Sequence, residues 1–145
     1  MRPGDELPPL SVPVTRTLIV AGALASRDFQ DVHHDAEAAR AKGSPDIFMN
    51  ILTTNGLVGR YITDHFGADA TLVRVSIRLG VPNYPGDVLT LSGRVVSVSP
   101  AREAGRRAVE VAVTGTNRLG RHVTGTVHVA VPAAAPESPA DGGGA

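Results

Sequence analysis

"SPDIFMNILTTNGLVGRYITDHFG", Ser44 to Gly67, is followed almost at once by "TLVRVSIRL", Thr71 to Leu79, and that change of pattern decides the fold. In the first stretch Ile47, Ile51, Thr54, Val58 and Ile62 recur at spacings of three and four, with Phe48, Leu52 and Tyr61 widening the apolar stripe. That period belongs to a helix, and a helix apolar over so much of its circumference is expected to be largely buried. Ser44 followed by Pro45 reads as a cap and first-turn proline, with Asp46 as an alternative cap one turn later; Gly67 ends the segment. In the second stretch Val73, Val75, Ile77 and Leu79 alternate with Arg74, Ser76 and Arg78, the period of a strand with one wet face.

Downstream everything continues as strand. "NYPGD" (83–87) is a turn leading into "DVLTLSGRVVSV" (87–98). "RAVEVAVTGT" (107–116) alternates Val109, Val111 and Val113 with Glu110 and Ala112. "NRLGR" (117–121) makes a hairpin into "HVTGTVHVAV" (122–131), with Val123, Val127 and Val129 on one face. Gly93, Gly115 and Gly125 fall mid-strand, where they signal curvature or close backbone approach. Upstream, "LSVPVT" (10–15) fits an edge strand that tolerates Pro13. Thr15 can cap a helix running to about Ser26 on Leu18, Ile19 and Ala23 or Leu24, although Gly22 weakens it. A short helix over "AEAARA" (36–41) starts at Asp35 as cap and ends at Gly43. The plan is α+β: helices first, one of them long and central, then a curved antiparallel sheet of four or more strands.

The 145 residues suit one domain. An apolar share of 42% with zero formal net charge is ordinary for a globular chain. There is no basic excess to neutralise nucleic-acid phosphates and no single-sign block for a membrane surface. Cysteine is absent, which removes disulfides, thiolate zinc sites and thiol nucleophiles together. "MRPGDELPPL" (1–10) has no apolar signal core and no run is long enough to span a bilayer, so a cytoplasmic address is expected. The domain is expected over residues 1–131, and the Pro/Ala/Gly-rich "PAAAPESPADGGGA" (132–145) reads as a disordered tail.

The chemistry-bearing stretch is "RDFQDVHHD", Arg27 to Asp35. A metal site is disfavoured, because adjacent histidines on a short loop point apart and the next one, His65, lies at the far end of the long helix. A plain solvated loop explains Asp35 as a helix cap and His34 as a solvent-facing bystander. The sharper reading pairs Asp28 with His33. A carboxylate and an imidazole five residues apart across a turn can converge on one water and move its protons, with Phe29 and Val32 as a dry wall.

"D-F-Q-D-V-H" resembles the D-x-N-P-[LIV]-H signature of the MaoC-like, hydratase-2 type enoyl-CoA hydratases, which have the hotdog fold. Asp28 and His33 fall on its two catalytic positions and Val32 on the aliphatic one, while Gln30 replaces Asn and Asp31 replaces Pro. "VTRTLIVAGALASRD" (14–28) resembles the helix leading into the catalytic Asp. "LGVPNYPGDVLTLSGRV" (79–95) resembles the family's P-V-x-x-G-D strand entry, with Gly86 and Asp87 on the turn; the likeness covers roughly residues 4 to 131. More narrowly, "SRDFQDVHHD" with "GSPDIFMNILTTNGLVGRYITD" is similar to small catalytic subunits of actinobacterial steroid side-chain hydratases.

The resemblance implies addition of water to a trans-2-enoyl-CoA, giving a 3-hydroxyacyl-CoA in sterol catabolism. It implies no metal and no redox cofactor, and a related MaoC-like hotdog subunit (or, failing that, a second copy) completing the acyl pocket. Where ordinary members place a His-Gly pair whose Gly amide binds the thioester oxygen, this chain has Met49 and Asn50, so the Asn50 main-chain N–H is the expected oxyanion donor. A hotdog thioesterase would need a carboxylate but not His33. A non-catalytic subunit would have no reason to keep both Asp28 and His33. His122 and His128 are expected on the strand face opposite the valines, exposed or interfacial, and Asn55 as a satisfied core residue rather than a hydrogen-bonding group across an interface. Arg74, Arg78 and Arg94 suit either coenzyme A phosphates or a solvated sheet face. Asp31 has no assigned role.

Overall fold

Residues 1–133 are described by the computed structural model. Among them, alternation of apolar and polar residues builds five strands: β1 (Glu6–Pro13), β2 (Thr71–Leu79), β3 (Val88–Pro100), β4 (Arg106–Asn117) and β5 (Gly120–Pro132). They form one antiparallel sheet in the order β1-β3-β4-β5-β2. The expected N-terminal strand is therefore present, and it is an edge, which is where its prolines do least harm. β5 runs one residue into the expected tail, since Pro132 pairs with Arg106, and the Ala133 N–H donates to Gly105 O. The rest of that tail, 134–145, lies outside the described residues.

The same residues form three α-helices: α1 (Arg16–Ala25), α2 (Ala36–Ala41) and α3 (Ile51–Phe66). Thr15 caps α1 by accepting from the Leu18 N–H, and Asp35 caps α2 by accepting from the Ala38 N–H, as their sequence positions suggest. α3 has 16 residues and lies across the apolar face of the sheet. At the rise of an α-helix it is a rod about 24 Å long. Tyr61 Oη donates to Leu7 O of β1 at one side, and Gly59 faces Leu72 of β2 at the other. Gly56 and Gly59 each cost about 1 kcal/mol in a helix interior. Complete burial of Val58 and Ile62, at about 1.5–3 kcal/mol each, more than offsets them. Their neighbours are Leu89, Leu91, Val109, Val111, Val113, Val127 and Val129, so the core lies between one helix and one sheet face. This is the hotdog arrangement.

Four sequence expectations need correction. The helix does not begin at Ser44 or Asp46: residues 44–50 are an irregular connector and Asn50 is the cap. Asp46 is occupied otherwise, accepting from the Ile47 N–H and from both terminal nitrogens of Arg16 at 2.9 and 2.8 Å. Nor is the apolar stripe wholly internal. Ile47, Thr54, Val58, Tyr61 and Ile62 are buried, but Ile51 and Leu52 remain 49% and 50% exposed beside Asn50. Asn55 is half-buried rather than a core residue.

His122 is the fourth correction. Between Gly115 and Thr116 the β4–β5 register advances one residue on β4 and two on β5, so His122 is the extra residue of a bulge. The bulge breaks the alternation, and both His122 and Val123 are buried. His128 keeps to the outer side, in register with Glu110 and Arg74, and is half-buried.

Candidate active site

Local chain chemistry carries Asp28 to its place. α1 ends at Ser26, and Arg27 turns into the left-handed region at φ 55. The Arg27 N–H then donates to Leu24 O and the Asp28 N–H to Ala23 O, the two bonds of a Schellman turn. A single 3₁₀ turn over Asp31–His33 follows and brings the His33 ring back. Its first residue, Asp31, accepts from Lys42 Nζ at 2.6 Å, which ties the turn to the end of α2. Asp31 thus replaces the rigidity of a proline with an ion pair. Both partners are substantially exposed, so the tie is a weak one.

The turn closes the expected pair. Asp28 Oδ2 and His33 Nε2 are 3.3 Å apart. His33 is 6% exposed, with its Nδ1 2.7 Å from Phe48 O and its ring edge-on to Phe48. A carbonyl only accepts, so Nδ1 carries a proton there, and Nε2 is the ring nitrogen that faces Asp28. Asp28 also receives Asn50 Nδ2 on Oδ2 at 3.1 Å and the Gln30 N–H on Oδ1 at 3.4 Å. The Asn50 bond, assisted by that N–H and by His33, holds the carboxyl below its ordinary range against the opposing effect of desolvation. Asp28 is therefore a carboxylate at neutral pH.

Asn50 is the hub. Its Oδ1 accepts from the Thr53 N–H at 3.0 Å and from the Thr53 hydroxyl, capping α3. Its Nδ2 reaches Ser26 Oγ at 2.9 Å as well as Asp28. Behind it the Met49 N–H donates to Asn83 O at 3.1 Å. α1 approaches α3 closely enough for this only because residue 22 is glycine: a Cβ there would collide with the Thr53 hydroxyl. The residue that weakens the sequence case for α1 is thus required by the site.

Asp28, His33 and Asn50 come together from three different segments. Ser26, Thr53 and the Phe48 carbonyl belong to the same network, and sequence reasoning does not single them out. The available signal is an Asn ahead of "ILTT", a good cap with a hydroxyl at the third helical position. His34 is exposed and contacts Phe29 O at 3.3 Å, as a bystander would. Arg74 and Arg78 are exposed, and Arg94 pairs with Glu6 at 2.8 Å. Asp87 is buried, accepting from the Tyr84 N–H and from Arg118, and so fixes the turn after Asn83. Among the described residues no cluster of three or more His, Cys, Asp or Glu is placed to hold a metal ion. Among them, too, no helix is long and apolar enough to cross a membrane.

A sheet wrapped on one helix, with a carboxylate and an imidazole converging at that helix's start, defines a hotdog domain of the hydratase kind. The chain belongs to the MaoC-like domain family, whose model matches residues 2–117. It is 48% identical, over 88% of its length and 95% of the relative's, to the 3-oxo-4,17-pregnadiene-20-carboxyl-CoA hydratase beta subunit of Mycobacterium tuberculosis. Among solved structures it matches a chain of the ChsH1–ChsH2 complex from Mycobacterium tuberculosis at TM-score 0.80 and 49% identity, covering 89% of this chain and 97% of that one. The (R)-hydratase from A. caviae involved in PHA biosynthesis matches at TM-score 0.79 over 91% of this chain and 98% of that one. At 19% identity that likeness is one of fold.

Proposed function

We propose that the chain is the catalytic subunit of an enoyl-CoA hydratase acting on a steroid side-chain thioester, within a two-chain complex with a related MaoC-like subunit. The observation that carries the chemistry is the 3.3 Å approach of Asp28 Oδ2 to His33 Nε2, with Asn50 bonded to the same carboxylate oxygen. A water held by Asp28 and His33 adds its oxygen to carbon 3 of the enoyl thioester. The pair takes one proton from that water and returns one to carbon 2, so the product is the 3-hydroxyacyl-CoA. Charge that builds on the thioester oxygen during attack is met by the Asn50 main-chain N–H at the positive end of α3. All the protons come from water, and the reaction as written needs neither metal nor redox cofactor.

The choice of acyl group follows the substrate in the name of the 48% identical relative. The two-chain assembly follows that relative's designation as a beta subunit and the complex in which the matching structure was solved. The surface fits such an assembly. Phe29 is 66% exposed next to Asp28, and Ile51 and Leu52 are half-exposed next to Asn50. Exposed apolar side chains thus adjoin Asp28 and Asn50 along the chain, the kind of surface a partner subunit would cover. A cytoplasmic location fits a coenzyme A thioester as substrate.

The test is direct. The complex, prepared by co-expression with a MaoC-like partner, should remove the conjugated enoyl-thioester absorbance without releasing free thiol. Asp28→Asn and His33→Ala should each lower the rate about 10²–10⁴-fold. Thiol release with the double bond intact would make the chain a thioesterase, and hydration surviving both substitutions would move the active site to the partner.

A further inference from the structure

Behind the start of α3 is a buried histidine that the proposed chemistry does not use. His122 is 1% exposed, at the bulge of β5. Its Nδ1 lies 2.6 Å from Val81 O and its Nε2 2.9 Å from Thr54 Oγ1. The carbonyl accepts only, so Nδ1 carries the proton and Nε2 accepts from the Thr54 hydroxyl. Burial lowers the ring's pKa against the pull of the Val81 carbonyl and Asp87, which favours that neutral tautomer.

Thr54 is in the first turn of α3 and its hydroxyl has two other outlets, Met49 Sδ at 3.4 Å and Asn50 O at 3.5 Å. A Thr hydroxyl that bonds the carbonyl four residues back disturbs the helical bond there and tends to bend the helix. Here the shorter bond to His122 engages the hydroxyl and leaves Asn50 O to the Thr54 N–H at 3.3 Å. The same ring reaches Val81, at the head of the connection whose Asn83 O receives the Met49 N–H. Asn50 is thus held from both sides by elements that converge on His122.

We propose that His122 is a positioning residue for hydration: acting through Thr54, it fixes the first turn of α3 and therefore the place of Asn50 against Asp28 and the thioester. The proposal rests on the hydratase reading above. It also accounts for the β5 bulge, since strict alternation would turn residue 122 to the face opposite Val123. Displacements of about 1 Å in a reacting constellation cost on the order of 10²-fold in rate.

The experiment uses the co-expressed complex and an enoyl-CoA on which the wild type is active. His122→Ala and Thr54→Val should each lower kcat by about tenfold or more with KM within about twofold, because the lost geometry matters in the transition state. The double variant should be no slower than the worse single one, since both cut the same link. His122→Gln, whose amide donates and accepts, should recover most of the rate. A residue that only supports the fold would lower the melting temperature and leave kcat, measured well below it, unchanged. Should His122→Ala fail to assemble, Thr54→Val decides, because it removes the hydroxyl at nearly constant volume. Wild-type kcat in Thr54→Val, or additive losses in the double variant, overturns the proposal. A wild-type complex that hydrates no enoyl-CoA overturns the hydratase reading itself, and this inference with it.

Discussion

Asn50 Nδ2 lies 3.1 Å from Asp28 Oδ2 while Asn50 Oδ1 accepts from the Thr53 N–H, so the cap of the long helix and the proposed catalytic carboxylate are one hydrogen-bonded unit. Helix geometry and the proposed acid–base chemistry share a single side chain.

Asn50→Asp separates the two roles. Aspartate caps a helix as well as asparagine does, so the melting temperature should change little. It cannot donate to Asp28, however, and it places a second carboxylate beside it. Asp28, now held low by that donor, should move up, and the acid limb of the kcat/KM profile should shift to higher pH. A pH–rate profile of the complex checks this, and an unmoved acid limb would count against Asp28 as the titrating group.

Arg27 is the one non-glycine residue with positive φ among the described residues, and it precedes Asp28. The left-handed conformation costs a side chain about 1–2 kcal/mol, while glycine in its place returns part of that as unfolded-state entropy. Arg27→Gly should therefore stabilise the chain by a few tenths to about 1 kcal/mol, measured by denaturant unfolding. Arg27→Val, β-branched at the same φ, should destabilise it.

The Arg16–Asp46 pair ties α1 to the connector ahead of Asn50, and it holds Asp46 at about 2. A carboxyl whose folded-state pKa is depressed contributes stability above its unfolded value of about 3.9 and loses it as pH falls through the folded one. The melting-temperature difference between wild type and Arg16→Ala should hold from neutrality down to about pH 4 and shrink toward about pH 2. A difference that persists at the acid end would assign the effect to packing by the arginine stem.

Leu52 is half-exposed on α3, next to the proposed partner-completed pocket. Leu52→Lys should leave circular dichroism and chain solubility intact yet abolish co-purification with the partner subunit, as gel filtration of the co-expressed pair would show. Retained assembly would place the interface elsewhere.

The fold is legible in the sequence because its signals are periodic. The alternating valines of β4 and β5 and the spacing of Thr54, Val58 and Ile62 suffice for a sheet closed on one helix. Asp28 and His33 are legible through their spacing and the signature around it. Two kinds of feature are not. Ser44, Pro45 and Asp46 look like a helix entry, whereas Asp46 is claimed by Arg16, thirty residues away in sequence, and α3 starts later. His122 falls on the wrong face of a strictly alternating strand, because a bulge shifts alternation by one. The register slip that makes the bulge, between Gly115 and Thr116, leaves no periodic mark. Both features depend on long-range partners that a local pattern does not encode.

Lys42 carries the only side-chain amine in the sequence, and its nitrogen rests against Asp31 on the turn that presents His33. Ordinary amine-directed acylation therefore has one side-chain address in this protein, and it is beside the proposed water site. A fluorophore or isotope-coded tag attached there, with no engineered cysteine, becomes a reporter of partner docking and acyl-CoA arrival.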